Sequence, residues 1–144
     1  MTLAADTSFM VSLYGVDVNT PAARAWMACT ARPIVVSSAL RFESENALRL
    51  ACFRQTITPG ELMQAMADIA SDFSTGILLS REIPSSRHWA ECQRISQAHT
   101  LTRGTRAFDI LHVAGARLLK ASTFLTFDQR QGELARSVGL IVAP

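Results

Sequence analysis

Short, uninterrupted apolar runs alternate along this chain with longer stretches in which apolar positions recur every three or four residues. The short runs are residues 2–5, "PIVV" (33–36), "GILLS" (76–80), "TFLTF" (123–127) and "GLIVA" (139–143). Their continuous apolar character predicts strands buried on both faces. The stretches between them predict helices over about 7–13, 20–31 and 39–53, then from 59 to about 70. A further helix carries the stripe Trp89, Cys92 and Ile95. "AFDILHVAGARLLK" (107–120) is a strongly apolar helix, and a short one follows Asp128.

Local signals mark several helix starts. "TPGE" (58–61) has the Thr-x-x-Glu form of a capping box with Pro at the first helical position. Ser37 and Ser38 offer caps to the third helix, and Thr20 reads as the N-cap before Pro21. "REIPSSR" (81–87) and "TLTRGTR" (100–106) carry no apolar period and read as loops. Strands separated by helices predict an α/β fold: a five-stranded parallel sheet flanked by helices in a three-layer α/β/α sandwich. The length suits one domain spanning 1–144. Ligands of such sheets sit outside the carboxyl ends of the strands. Asp6 and Asp128 fall at that edge.

Composition narrows the class. Hydrophobic residues make up 49% of the chain and charged residues 18%, which suits a globular protein rather than a disordered one. No apolar run approaches the ~20 residues of a membrane span. The first residues lack a basic region and meet Asp6 early, which argues against a secretory leader. Cys29, Cys52 and Cys92 are odd in number and scattered, the usage of a reducing, cytoplasmic compartment rather than of a disulfide framework or zinc site. The net charge of +2 decides little.

Four acids stand out by position. An Asp after a strand caps the next helix in many proteins, and this reading applies to Asp6 and to Asp128 taken singly. Both lie on one edge of one sheet, which suggests a shared purpose. In "RFESENALR", Glu45 has Arg41 four residues before it and Arg49 four after, so it belongs on a solvated, ion-paired face. Glu43 shares a face with Ala47 and Leu50 and is expected to point inward, where a charge needs compensation. Glu45 is its alternative. Asp109 is the one acid of an otherwise apolar helix; its plain reading is an acid favoured by the helix N-terminus. If Asp6, Glu43, Asp109 and Asp128 converge, their mutual repulsion calls for a cation. Mg2+, for which Mn2+ substitutes, takes oxygen ligands of this kind. Such ions activate water and stabilise in-line displacement at phosphorus.

"DTSF", "SALRFESENAL", "FDILHVAGA" and "FLTFDQRQGELARSVGL", in this order and across nearly the whole chain, resemble the PIN-domain ribonucleases, in particular the VapC-type toxins of toxin–antitoxin modules. The resemblance implies an Mg2+-dependent endoribonuclease with Asp6, Glu43, Asp109 and Asp128 as the acidic quartet that holds the metal. It also implies an RNA substrate, a homodimer and a cognate antitoxin partner. Thr7 and Thr126 match small hydroxyl positions beside the first and fourth acids. His112 reads as a packing residue or as a base or ligand. Arg103 and Arg106 read as surface residues or phosphate grips.

Two other classes compete. In a non-catalytic interaction module the acids are structural caps. A strand-end aspartate phosphatase would show Asp-x-Asp after the first strand, where Ser8 stands here. A phosphoacceptor domain needs a Lys near a late strand, and the one Lys is Lys120. No Walker loop or GxGxxG is present.

Overall fold

Successive side chains of a strand point to opposite faces, so a strand without polar members needs cover on both sides. The computed structural model, which describes residues 1–144, meets this need with helices on each face. Five strands, β1 (Leu3–Ala5), β2 (Ile34–Val36), β3 (Leu78–Ser80), β4 (Thr123–Leu125) and β5 (Ile141–Ala143), form one parallel sheet in the order β3-β2-β1-β4-β5. The helices are α1 (Thr7–Tyr14), α2 (Thr20–Ala28), α3 (Ser38–Phe53), α4 (Pro59–Thr75), α5 (Ser85–Arg103), α6 (Ala107–Leu118) and α7 (Gln129–Ser137).

The pleat divides the strand residues between two cores. Leu3, Ala5, Ile34, Val36, Leu78 and Leu125 pack against Phe9, Met10 and Tyr14 of α1, Leu40 and Leu48 of α3, and Ala65 and Ile69 of α4. Ala4, Val35 and Phe124 face the other way, against Ile95 of α5, Ile110, Val113 and Ala114 of α6, and Leu134 of α7. Each fully buried Leu, Ile or Phe contributes on the order of 1.5–3 kcal/mol, so the two cores hold the three layers together. No helix is long and apolar enough to cross a membrane.

Several boundaries differ from the sequence expectation, each for a local reason. Helix α4 continues past residue 70 to Thr75 and ends at Gly76, whose φ of 81° is the left-handed conformation that stops helices. Gly76 therefore belongs to a helix end, not to the third strand. Helix α5 absorbs residues 85–87 and 100–103 of the two expected loops: it starts right after Pro84 and runs to Arg103, where Gly104 at φ 61° closes it. Weak amphipathicity hid those turns. Asn19, not Thr20, occupies the N-cap of α2, while the Thr20 hydroxyl accepts from the Asp17 N–H at 2.9 Å. The capping box at Thr58 and Glu61 forms as expected.

Strand β1 is central, with β2 and β3 to one side and β4 and β5 to the other. The chain order reverses direction between β1 and β4. Ligands of open α/β sheets bind at the carboxyl ends of the strands flanking such a junction.

Candidate active site

Two strand ends define this edge of the sheet. Ala5 pairs with Leu125 in register, so the residues that follow them, Asp6 and Thr126, leave the sheet together. Asp6 is the N-cap of α1: its Oδ1 accepts the Phe9 N–H at 2.9 Å and the Ser8 hydroxyl at 2.7 Å. Its Oδ2 accepts the Thr126 hydroxyl at 2.5 Å. Thr126 Oγ1 in turn accepts the Asp128 N–H at 2.9 Å. Asp128 is the N-cap of α7, with Oδ1 accepting the Gln131 N–H at 3.0 Å. The capping reading of both aspartates is thus correct, and it uses one oxygen of each. The second oxygen of Asp6 turns to Thr126, and that of Asp128 lies 3.9 Å from the Arg106 guanidinium.

Helix α3 brings Glu43 to the same edge. Its buried stripe is Leu40, Ser44 and Leu48. Glu43 borders that stripe and is half-buried, while Leu50, expected inward, is 38% exposed. Glu43 Oε2 accepts the Thr7 hydroxyl at 2.6 Å and also bonds His112 Nε2. Glu45 sits apart, paired with Arg41 at 2.9 Å and Arg49 at 3.6 Å, as its spacing requires. Glu43 is therefore the acid of this edge.

Helix α6 supplies Asp109 in its first turn and His112 one turn on. Arg106, at the N-cap position of α6, spans two acids: its Nε lies 3.2 Å from Asp109 Oδ2 and its terminal nitrogen 3.9 Å from Asp128 Oδ2. Gln131 adds a tie between α7 and α6 by donating to the Asp109 carbonyl at 3.3 Å. Arg103 is exposed in the last turn of α5.

The fold has counterparts among solved structures. Mycobacterium tuberculosis VapC20, described as a sarcin-ricin loop cleaving toxin, superposes with a TM-score of 0.72 at 18% identity, covering 97% of each chain. Rickettsia felis VapBC2, solved bound to a DNA fragment from its promoter, gives 0.65 at 15% identity, covering 99% of this chain and 98% of that one. Neisseria gonorrhoeae FitAcB gives 0.60 at 15% identity, covering 99% and 97%. The fold is that of a VapC-type PIN domain. No family model and no curated protein matches the sequence.

Within this PIN fold the environment of each acid differs. Burial pushes the Asp6 carboxyl above its ordinary value, against the opposing hydrogen bonds from Thr126, Ser8 and the Phe9 N–H. At Glu43 burial also opposes the charge, but the bonds from His112 and Thr7 and the nearby positive charges prevail and hold the carboxyl below its ordinary value. Two acids on one edge are thus shifted in opposite directions, and perturbed carboxyls of this kind recur at functional sites.

Two polar groups line the sheet's carboxyl edge: Thr126 and Arg106 link Asp6, Asp128 and Asp109, while Thr7 and His112 hold Glu43. As the side chains stand, no three acidic, His or Cys side chains converge closely enough to hold a metal ion. The expectation that all four lie within one ion's reach is not realised in these rotamers. The reason is visible in these two groups. Arg106 draws off Asp109 and Asp128, while His112 and Thr7 hold Glu43 by one oxygen. The donor set is nonetheless all oxygen and rich in negative charge, the kind that suits Mg2+ or Mn2+.

Sequence reasoning missed two members. His112, read above as a packing residue or as a base or ligand, is buried and bonded to Glu43. Arg106 is a counter-ion of the acids rather than a free surface residue. The signal for His112 was its place one helical turn after Asp109, which puts both on one face.

Proposed function

We propose that this chain is an Mg2+-dependent endoribonuclease that acts in the cytoplasm as the toxin of a toxin–antitoxin pair. One observation carries the reading. Four acids from four separate segments gather at the switch point of a PIN-type sheet, in two adjacent polar groups: Asp6, Asp128 and Asp109 linked through Thr126 and Arg106, and Glu43 held by Thr7 and His112. Burying so many carboxylates together is unfavourable unless a cation joins them.

In this reading Asp6, Asp109 and Asp128 hold the ion, and Glu43 binds it or orients water. When bound, the ion supplies Lewis acidity at phosphorus and lowers the pKa of water. The chain's own residues do the positioning. Thr126 fixes Asp6 from the neighbouring strand, so the most buried ligand cannot rotate. Arg106, with a side chain 76% exposed, yields its two carboxylates easily, since exposed pairs of this type are worth about 0–1 kcal/mol. Once released, its guanidinium is free to meet a phosphate of the RNA. Domain 1–144 works in this scheme as a single unit.

The description of VapC20 as a toxin that cleaves the sarcin-ricin loop supports RNA as the substrate. The VapBC2 and FitAcB structures support a cognate antitoxin as partner. A homodimer is part of the same proposal. Three free cysteines are compatible with a reducing compartment.

A second reading rests on the observed caps of α1 and α7: the acids are structural and the chain is an interaction module. Two measurements separate the readings. RNA cleavage that stops in EDTA and returns with Mg2+ or Mn2+ supports the nuclease. A melting midpoint that Mn2+ leaves unmoved supports the caps, because a ion that binds the native state alone raises it.

A further inference from the structure

His112 is not explained by packing. Its side chain is 3% exposed on a helix whose neighbouring buried positions are Ile110, Val113 and Ala114. Its Nδ1 is buried without a hydrogen-bond partner. An apolar residue here would avoid that orphan, since buried polar atoms are nearly always paired. The ring's other nitrogen does have a partner. Nε2 bonds Glu43 Oε2, the same oxygen that accepts the Thr7 hydroxyl, and Thr7 Oγ1 lies 3.4 Å from Nε2. The Phe108 ring, tilted with its centroid 6.1 Å away, backs the imidazole.

Both donors fall on one oxygen. A carboxylate oxygen offers two lone-pair directions, so Oε2 is saturated. No protein group bonds Glu43 Oε1. We infer that His112 is a positioning residue: with Thr7 it fixes Glu43 through Oε2 and leaves Oε1 as the oxygen that serves the cation site. This rests on the nuclease reading above. The arrangement is that of a metal ligand oriented by an outer partner, here reaching from α6 to α3. It also gives a reason for the Nδ1 orphan, which is the cost of having an N–H on the far side of the ring.

The test compares three substitutions in the full chain. Leu keeps volume without a donor, Gln places an amide nitrogen near the position of Nε2, and Asn places one near Nδ1. The readouts are the Mn2+ dissociation constant by calorimetry, RNA cleavage, and the melting midpoint. His112→Leu and His112→Asn are expected to weaken Mn2+ binding and slow cleavage by about 10–100-fold. His112→Gln is expected to recover most of that loss. In a Glu43→Gln background the His112→Leu penalty is expected to vanish, because the two residues act as one unit. Equal behaviour of Leu and Gln, whether both match wild type or both lose function in step with stability, overturns the inference. Should His112→Leu not fold, the Gln and Asn pair makes the same comparison. Wild-type protein that neither binds Mn2+ nor cleaves RNA fails the nuclease reading itself, which is a distinct result.

Discussion

The Thr126 hydroxyl donates to Asp6 Oδ2 across 120 residues of chain, and it does so because β1 and β4 are adjacent and end in register. Local capping fixes one oxygen of the most buried acid in the molecule, and strand pairing fixes the other. The side chains that follow from this contact give the site its testable properties.

Asp6 is 1% exposed, and burial raises its carboxyl above the unfolded value near 3.8. A raised folded-state pKa means that the neutral form is favoured by folding. That stability is present below about pH 3.8 and is lost as pH rises through the folded value. At pH 7 the carboxyl therefore weighs against the fold relative to a neutral side chain of the same shape. Metal-free Asp6→Asn is expected to melt above wild type at pH 7, with the gap closing in acid, while RNA cleavage falls by at least ~100-fold, more than an outer partner costs. Thermal scans across pH check the first part; a lower midpoint at pH 7 contradicts it. Full cleavage by the folded variant counts against the nuclease.

Glu43 behaves in the opposite sense. Its carboxyl is held below the ordinary 4.5, so its contribution to stability is present above that pH and is lost as pH falls through the folded value. The midpoint difference between wild type and Glu43→Gln is expected to favour wild type at pH 7 and to shrink in the window below about 4.5. A difference independent of pH would show that the bonds from His112 and Thr7 do not depend on its charge.

Arg106 stands where a cation is wanted. Replacing it with Gln frees Asp109 and Asp128, so Mn2+ is expected to bind severalfold more tightly at low salt. The fold should change by no more than ~1 kcal/mol, the scale of an exposed pair. Calorimetric titration of both proteins in one buffer decides this. Weaker binding in the variant would mean that Arg106 supports the site rather than competing for it.

Phe9 tests the packing that carries the site. It is fully buried and stacked on Phe127 with centroids 5.6 Å apart, and its own N–H is the one that Asp6 caps. Phe9→Ala is expected to cost about 3–5 kcal/mol. For a domain of this size that corresponds to a drop of about 6–20 °C in Tm. Urea unfolding with an unchanged slope and a lowered midpoint is the matching signature.

Much of this protein was legible from its residues alone. Largely apolar runs announced the strands, and β1, β2 and β4 are buried throughout, whereas the edge strands β3 and β5 are partly exposed because each has a neighbour on one side only. The capping box at Thr58 and the Arg41–Glu45–Arg49 spacing fixed local contacts that depend on one helical turn. Strand-end positions marked Asp6 and Asp128, and helix phase separated Glu43 from Glu45. What the chain could not state locally was anything that depends on two distant segments meeting. The helix around Trp89, Cys92 and Ile95 was legible, but the first and last turns of α5 were not, because its polar and apolar residues are nearly evenly spread around it. The Thr126–Asp6 bond, the hold of His112 on Glu43 and the reach of Arg106 to Asp128 join residues 22 to 120 positions apart. Such contacts exist only once the sheet order β3-β2-β1-β4-β5 has set β1 beside β4. Periodicity reports which face a residue takes within its own element; the packing of elements decides which other charge it finds there.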